Sequence, residues 1–151
     1  MATPNLIELD GAAGEAGGQV LRTALALSAV TGKGFRVVGA RAGRPKPGLR
    51  PQHLAAARAT AAICQGRLEG DELGSSEILL EPRTVERRDA WRFDIGTAGS
   101  TPLLFQTLCW PLALAGAPTE VFLGGGTHQD GAPSFHYLAL VWAPAVARIG
   151  F

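Results

Sequence analysis

The sequence predicts an α/β protein of the two-layer α+β kind, built from repeated β-α-β-α-β-β units with helices packed on mixed sheets. Two observations carry that expectation. Short apolar, strand-like runs alternate with longer runs of helical periodicity along the whole chain. The punctuation between them then recurs: Ala-Gly-Gly at 16–18 returns as Ala-Gly-Ser at 98–100, Thr-Gly at 31–32 as Ala-Gly at 115–116, Gly-Ala-Arg at 39–41 as Gly-Gly-Gly at 124–126, and Cys-Gln-Gly at 64–66 as Arg-Ile-Gly at 148–150. The offset is 82 to 85 residues throughout, the mark of an internal duplication.

The elements follow in order. LIEL at residues 6–9 reads as a short strand. QVLRTALALSAVTG has apolar residues at helical spacing and closes on Gly32, a natural helix-ending glycine. FRVVGAR is a strand, and RPQHLAAARATAAICQG is an alanine-rich helix expected to end at Gly66. Two strand candidates, RLEG and SEILLEP, flank the polar turn DELGS. The pattern then restarts with the strand WRFDIG. The helix STPLLFQTLCWPLALAG places Pro102 in its first turn, where a missing N–H is tolerated, and Pro111 in its interior, where a kink is expected. TEVFLGG is a strand, and PSFHYLALVWAPAVARIG is a helix with Pro144 inside it. The first unit is therefore assigned to residues 1–89 and the second to residues 90–151. The second copy stops where its last two strands should begin, so the expectation is a fragment, or a chain that completes its sheet with another.

Composition narrows the class. With 46% hydrophobic and 18% charged residues among 151, the chain is globular rather than disordered. Cys64 and Cys109 are the only cysteines, each within an apolar helical pattern, and neither has the spacing of a zinc or redox motif. The N-terminus has no basic, then apolar, leader pattern. The longest apolar stretch is interrupted by Gln106 and Pro111, too soon for the roughly 20 apolar residues a bilayer span needs. A soluble protein of the reducing cytoplasm, with no membrane role, is expected.

The net charge of +1 conceals an asymmetry. Residues 1–58 carry eight basic and three acidic residues, whereas residues 59–90 carry four and seven. Between residues 33 and 50 stand Lys33, Arg36, Arg41, Arg44, Lys46 and Arg50 with no acid among them. Such a concentration suits a phosphate or nucleic-acid partner, and equally a solvated basic loop.

Four stretches carry candidate chemistry. The first is DGAAGEAGGQVLR, residues 10–22, a glycine-rich turn that opens a helix. It is neither a Walker loop nor a dinucleotide fingerprint. It offers backbone N–H groups at a helix start, an anion site, with Arg22 one turn further on. An acid such as Glu15 beside phosphates makes sense when a divalent cation lies between them; Glu15 would otherwise simply favour the helix dipole. The second stretch is RAGRPKPGLRPQH, residues 41–53, in which Arg41 and Arg44 can fork onto phosphate. Gln52 and His53 begin the next helix, where His53 can donate to a phosphate oxygen, shuttle a proton, or serve structure alone. The third is Gln106, a polar interruption in the helix equivalent to that of Arg22. The fourth is GGGTHQDGAPSFHY, residues 124–137, where Pro133 and Tyr137 can form a flat wall for a base. His128 and His136 suggest no ligand set and read as surface residues.

Together these four motifs, in this order over nearly the whole chain, closely resemble the RNA 3′-terminal phosphate cyclases. The resemblance implies a large domain of repeated α/β units with a smaller inserted domain further along. It also implies an ATP- and divalent-metal-dependent (Mg or Mn) conversion of an RNA 3′-phosphate to a 2′,3′-cyclic phosphate, through an enzyme–histidine adenylate and an RNA-ppA intermediate. By that resemblance Glu15 is the metal- and phosphate-site acid. Arg22, Arg41, Arg44, Gln52 and His53 are triphosphate and RNA-phosphate contacts, Gln106 is an ATP-binding glutamine, and Pro133 and Tyr137 form the adenine wall. Two departures stand out. The family's Gly-Glu-Gly-Gly-Gly has Ala16 for a glycine here, and the adenylated histidine matches none of His53, His128 and His136. The chain alone is therefore expected not to self-adenylate. A non-catalytic cyclase-like protein of ribosome assembly is the alternative, and an enzyme of enolpyruvyl-transferase type on a similar repeated scaffold is a third reading.

Overall fold

The computed structural model of the protein describes residues 6–14 and 17–150. Its first unit runs β1 (Ile7–Asp10), α1 (Gly18–Thr31), β2 (Phe35–Val38), α2 (Pro51–Ile63), β3 (Arg67–Glu69) and β4 (Ile78–Glu81). These strands form one mixed sheet in the order β1-β2-β4-β3. β1 and β2 are parallel, Ile7 opposite Phe35, and β4 lies antiparallel to both β2 and β3. In β2 the pleat alternates as a half-buried sheet requires: Phe35 and Val37 face the core, and Arg36 faces out, where it ion-pairs with Glu77.

The second unit repeats the first half of this plan: β5 (Ala90–Asp94), α3 (Thr101–Leu114), β6 (Glu120–Gly124), then a helical run. β5 and β6 are parallel, like β1 and β2, but form a sheet of only two strands among the described residues.

The two units are alike in their helix packing. α1 buries Leu21, Ala24, Leu25, Ser28 and Ala29, and α3 buries Leu104, Thr107, Leu108, Pro111 and Leu112. Both sets follow the i, i+3, i+4, i+7, i+8 stripe of a helix with one covered face, and they are offset by a uniform 83 residues. α2 lies against both helices and buries alanines at 56, 57, 59 and 61 that permit close approach. Leu25, Ile63, Leu80, Trp91, Leu104 and Leu108 thus share one core that spans both units.

Helix ends follow the sequence with one correction. Gly32 closes α1 in the left-handed region at φ 72°, its N–H bonded to the Ser28 carbonyl. At the end of α2 the left-handed residue is Gln65, at φ 49°, rather than Gly66. Gly66 serves by close packing instead, since a Cβ there would meet Leu80, Cys64 and the Glu81 carbonyl at about 3 Å. α3 continues as one helix through Pro111. The proline expected inside the last helix divides that run into α4 (Phe135–Tyr137), a π-helical stretch (Leu138–Trp142) and α5 (Ala143–Ala147). Pro144 then stands in the first turn of α5, where its missing N–H leaves no gap in the hydrogen-bond ladder. None of the residues 135–147 is fully buried, and Leu140 and Ile149 are about three-quarters exposed. Both cysteines are free: Cys64 is buried as expected, whereas Cys109 is only half-buried.

Candidate functional site: a phosphate cradle at the start of α1

The two glycine-rich loops lie side by side because they leave adjacent parallel strands at the same end. Gly11 N–H donates to the Val38 carbonyl at 2.7 Å, and Arg41 N–H donates to the Gly11 carbonyl at 3.3 Å. Asp10 Oδ1 turns back to accept from Ala12 N–H at 2.8 Å. The loop after β2 is then held closed from within. Arg41 takes a left-handed backbone, φ 58°, and its guanidinium donates to the carbonyls of Lys46 (2.7 Å) and Gly48 (2.9 Å). Part of the donor set expected for phosphate is therefore committed to shaping the loop.

Among the described residues no side chain caps the start of α1. Gly17 precedes it in extended conformation and provides no side chain to its first N–H groups. In the second unit the equivalent position is Ser100, whose hydroxyl accepts from Leu103 N–H at 3.3 Å. The first unit leaves open a helix start that the second closes, and such a start favours an anion.

Side chains converge on this open start. A Cβ on Gly18 would lie 2.3 Å from His53 Nε2 and 2.7 Å from an Arg22 guanidinium nitrogen, and one on Gly17 would lie 3.2 Å from an Arg44 guanidinium nitrogen. Arg22 donates to Gln19 Oε1 at 3.2 Å, but its Nε is buried with no partner among the described residues. Burial also lowers its pKa. A desolvated guanidinium nitrogen with nothing to donate to is costly, and an anionic oxygen satisfies it.

His53 is buried and neutral. Its Nδ1 accepts from the Arg50 backbone N–H at 3.1 Å, which places the proton on Nε2, the nitrogen turned toward Gly18. Burial, then the charges of Arg41, Arg22 and Arg50, push its pKa down to about 4. At neutral pH it is a hydrogen-bond donor without charge, rather than a proton shuttle. Gln52, on the preceding residue of α2, packs its Cβ against the Gly99 turn of the second unit.

The basic run of residues 33–50 is thereby sorted. Arg41, Arg44 and Arg50 surround the cradle, while Arg36 lies on the far face of the sheet with Glu77. Gln106 stands on α3 beside Arg22: with Gln19, Thr23, Leu27 and Trp110 they line a groove of about 240 Å³ between α1 and α3. Pro133 and Tyr137 do not line that groove. In their segment Phe135, rather than Tyr137, faces a cavity, about 400 Å³ and walled by Pro102, Phe105, Leu138 and Trp142. Glu15 and Ala16 lie outside the described residues. Among the described residues no group of three or more His, Cys, Asp or Glu side chains could hold a metal ion. Gly17, Gly18 and Arg50 join the site although no candidate role attached to them individually in the sequence. For the glycines a signal was present, a Gly pair where a capping residue would stand.

The family model described as RNA 3′-terminal phosphate cyclase matches residues 13–151. Proteins named RNA 3′-terminal phosphate cyclase from Salmonella typhimurium and Salmonella agona are each 48% identical over 145 residues, which is 96% of this chain and 42% of theirs. One from Salmonella heidelberg is 48% identical, with 41% of its length covered. The chain thus spans about two-fifths of the length of the curated relatives it matches. Among its described residues no helix is long and apolar enough to cross a membrane. With four motifs in order and relatives of such identity, the chain belongs to the RNA 3′-terminal phosphate cyclase family.

Proposed function

We propose that the chain supplies the phosphate-, ATP- and RNA-binding N-terminal part of an enzyme of the reducing cytoplasm. That enzyme converts an RNA 3′-terminal phosphate to a 2′,3′-cyclic phosphodiester at the expense of ATP. The observation that supports it best is the buried Arg22 Nε, which has no partner among the described residues, set with His53 Nε2 around a helix start that no described side chain caps. In the family's reaction a histidine attacks the ATP α-phosphorus and pyrophosphate leaves. The RNA 3′-phosphate then takes AMP to form RNA-ppA, and the 2′-OH closes the ring as AMP departs. Each step moves charge among phosphate oxygens, so the contribution of this chain is positioning and neutralisation.

In this reading Arg22, Arg44 and His53 donate to phosphate directly, and Arg41 shapes the loop that presents them. Gln52 joins the RNA or ATP phosphates from the start of α2, and Gln106 contacts ATP from the groove beside Arg22. Pro133 and Tyr137 form the base wall. Glu15 holds a divalent metal, Mg or Mn. A single carboxylate in a phosphate-binding loop suits such an ion, which when bound would supply neutralisation of phosphate charge. None of His53, His128 and His136 is the adenylated residue.

The two units, residues 1–89 and 90–151, are proposed parts of one larger catalytic domain. The second sheet has two strands where the first has four, and the chain spans 42% of its relatives' length. The covering strands come from the remaining length or from another chain.

The test is an assay of the complete enzyme on 3′-phosphorylated RNA with ATP and metal. Glu15→Ala and Arg22→Ala are expected to abolish cyclic-phosphate product, and full activity in both would end the proposal. This chain alone, incubated with labelled ATP and run on a denaturing gel, is expected to carry no covalent label.

A further inference from the structure

Two histidines outside the cradle face each other across the turn that follows β6. His128 Nε2 and His136 Nδ1 lie 2.9 Å apart, their ring centroids 5.0 Å apart and their planes inclined by 52°. On the far side of His128, Nδ1 is 3.0 Å from the Thr127 hydroxyl. The turn is fixed by its own bonds: Phe135 N–H donates to the Thr127 carbonyl at 2.9 Å, Ala132 N–H to that of Gln129 at 3.2 Å, and Tyr137 N–H to the Ser134 hydroxyl at 3.2 Å. The two rings are therefore anchored at the two ends of one closed loop, and both are exposed to solvent.

We propose that His128 and His136 form a two-nitrogen chelate for a divalent transition metal of the imidazole-seeking kind, Cu²⁺, Ni²⁺ or Zn²⁺. The spacing is the first argument. Two nitrogens held about 2.0–2.1 Å from one ion at a right angle are about 2.9 Å apart, so the pair keeps its separation and each exposed ring need only turn, by roughly 45°, to swing its lone pair from the partner nitrogen onto a common ion. A tetrahedral ion needs them only a few tenths of an ångström further apart. Tautomer control is the second. When the Thr127 hydroxyl accepts from His128 Nδ1–H, the lone pair of Nε2 points at His136, and Thr127 is the outer partner that orients a metal-binding imidazole. His136 need only move its proton from Nδ1 to the outward Nε2 to present its own lone pair. The third is ligand class. Two imidazoles with no carboxylate in the pair select copper, nickel or zinc over the hard, oxygen-seeking Mg²⁺ or Mn²⁺. Copper is expected to bind tightest, by the usual order of divalent affinities. Two protein ligands leave the remaining positions of the ion open to water or to an exogenous oxygen donor. This site is independent of the cyclase reading and of Glu15.

The test uses the tag-free chain, titrated separately with Cu²⁺, Zn²⁺ and Mg²⁺ by calorimetry, with electron paramagnetic resonance of the copper form. One Cu²⁺ per chain is expected, with hyperfine splitting from two nitrogens, Zn²⁺ weaker and Mg²⁺ without measurable heat. His128→Ala and His136→Ala are each expected to weaken Cu²⁺ at least tenfold and to reduce the splitting to one nitrogen. Circular dichroism serves to show the fold unchanged, as befits exposed side chains. Copper affinity unaltered in either variant, a single-nitrogen signal in the parent chain, or Mg²⁺ binding equal to Zn²⁺ would overturn the proposal.

Discussion

His53 Nε2 and an Arg22 guanidinium nitrogen occupy the space in which residue 18 has no side chain, 2.3 and 2.7 Å from where a Cβ would stand. One residue from α2 and one from α1 thus meet over the first turn of α1, and only glycine admits them both. Gly18→Ala is expected to push His53 off its Arg50 contact, at a cost of about 1–3 kcal/mol, the usual range for overpacking. Gly17→Ala meets only the flexible end of Arg44, at 3.2 Å, and is expected to stay within about 1 kcal/mol. Urea unfolding of the two variants separates these outcomes; equal stabilities would show that the convergence is not rigid.

Arg22→Ala removes a half-buried guanidinium whose buried Nε has no partner among the described residues. Its loss is expected to leave stability unchanged or slightly raised, while it weakens the binding of pyrophosphate or a 3′-phosphorylated oligonucleotide by about 1.5–3 kcal/mol, the worth of a charged hydrogen bond. Calorimetry of parent and variant decides. A variant that unfolds more readily yet binds equally well would assign Arg22 to the scaffold.

His53 has a folded-state pKa near 4, below its ordinary 6.5, because burial and three arginines disfavour the charged ring. Between those values the unfolded chain binds the extra proton, so the stability this residue provides is complete above about pH 6.5 and falls as the pH is lowered toward 4. The full loss is about 3 kcal/mol. Carboxylates titrate in the same range, so the measurement is the difference between parent and His53→Gln in urea unfolding at pH 7, 5.5 and 4. A difference that is flat with pH would contradict the prediction. Added pyrophosphate is expected to lessen the parent's loss, since an anion favours the charged ring and brings its folded pKa back toward the unfolded value.

Arg41→Ala deletes the two carbonyl contacts that close residues 41–48 and keeps a side chain at a left-handed backbone. A loss of about 1–2 kcal/mol and faster hydrogen exchange of the loop amides, Arg44 and Gly48 among them, are expected. Arg41→Gly relieves the backbone and is expected to recover part of the stability while exchange remains fast. Exchange unchanged in both variants would mean the loop is held by its neighbours alone.

Local signals made most of the fold legible. Gly32 announced its left-handed cap, and the recurring punctuation announced an offset of 82 to 85 residues, within which the buried stripes of α1 and α3 fall at 83. What stayed hidden depended on tertiary partners. Gln65 adopts a glycine's conformation because Gly66 is needed for tight packing under Leu80. Arg36 belongs to the basic run by sequence, but the pleat of β2 turns it to the other face. Arg41 was legible as a cation and not as the clasp of its own loop. The pairing of His128 with His136 is set by a turn whose closure the sequence does not display.

The uncapped Gly17 and the capped Ser100 have a further consequence. The second copy saturates its own helix start, so its contribution to stability is indifferent to what is dissolved around it. In the proposed reading the first copy's helix start is completed by an anion, so the melting temperature of the whole chain is expected to depend on phosphate concentration. It is expected to rise by RT ln(1 + [L]/Kd), expressed as free energy, while Gly17→Ser would trade that response for a constant gain of its own. In a duplicated fold, a single hydroxyl separates a beam from a sensor.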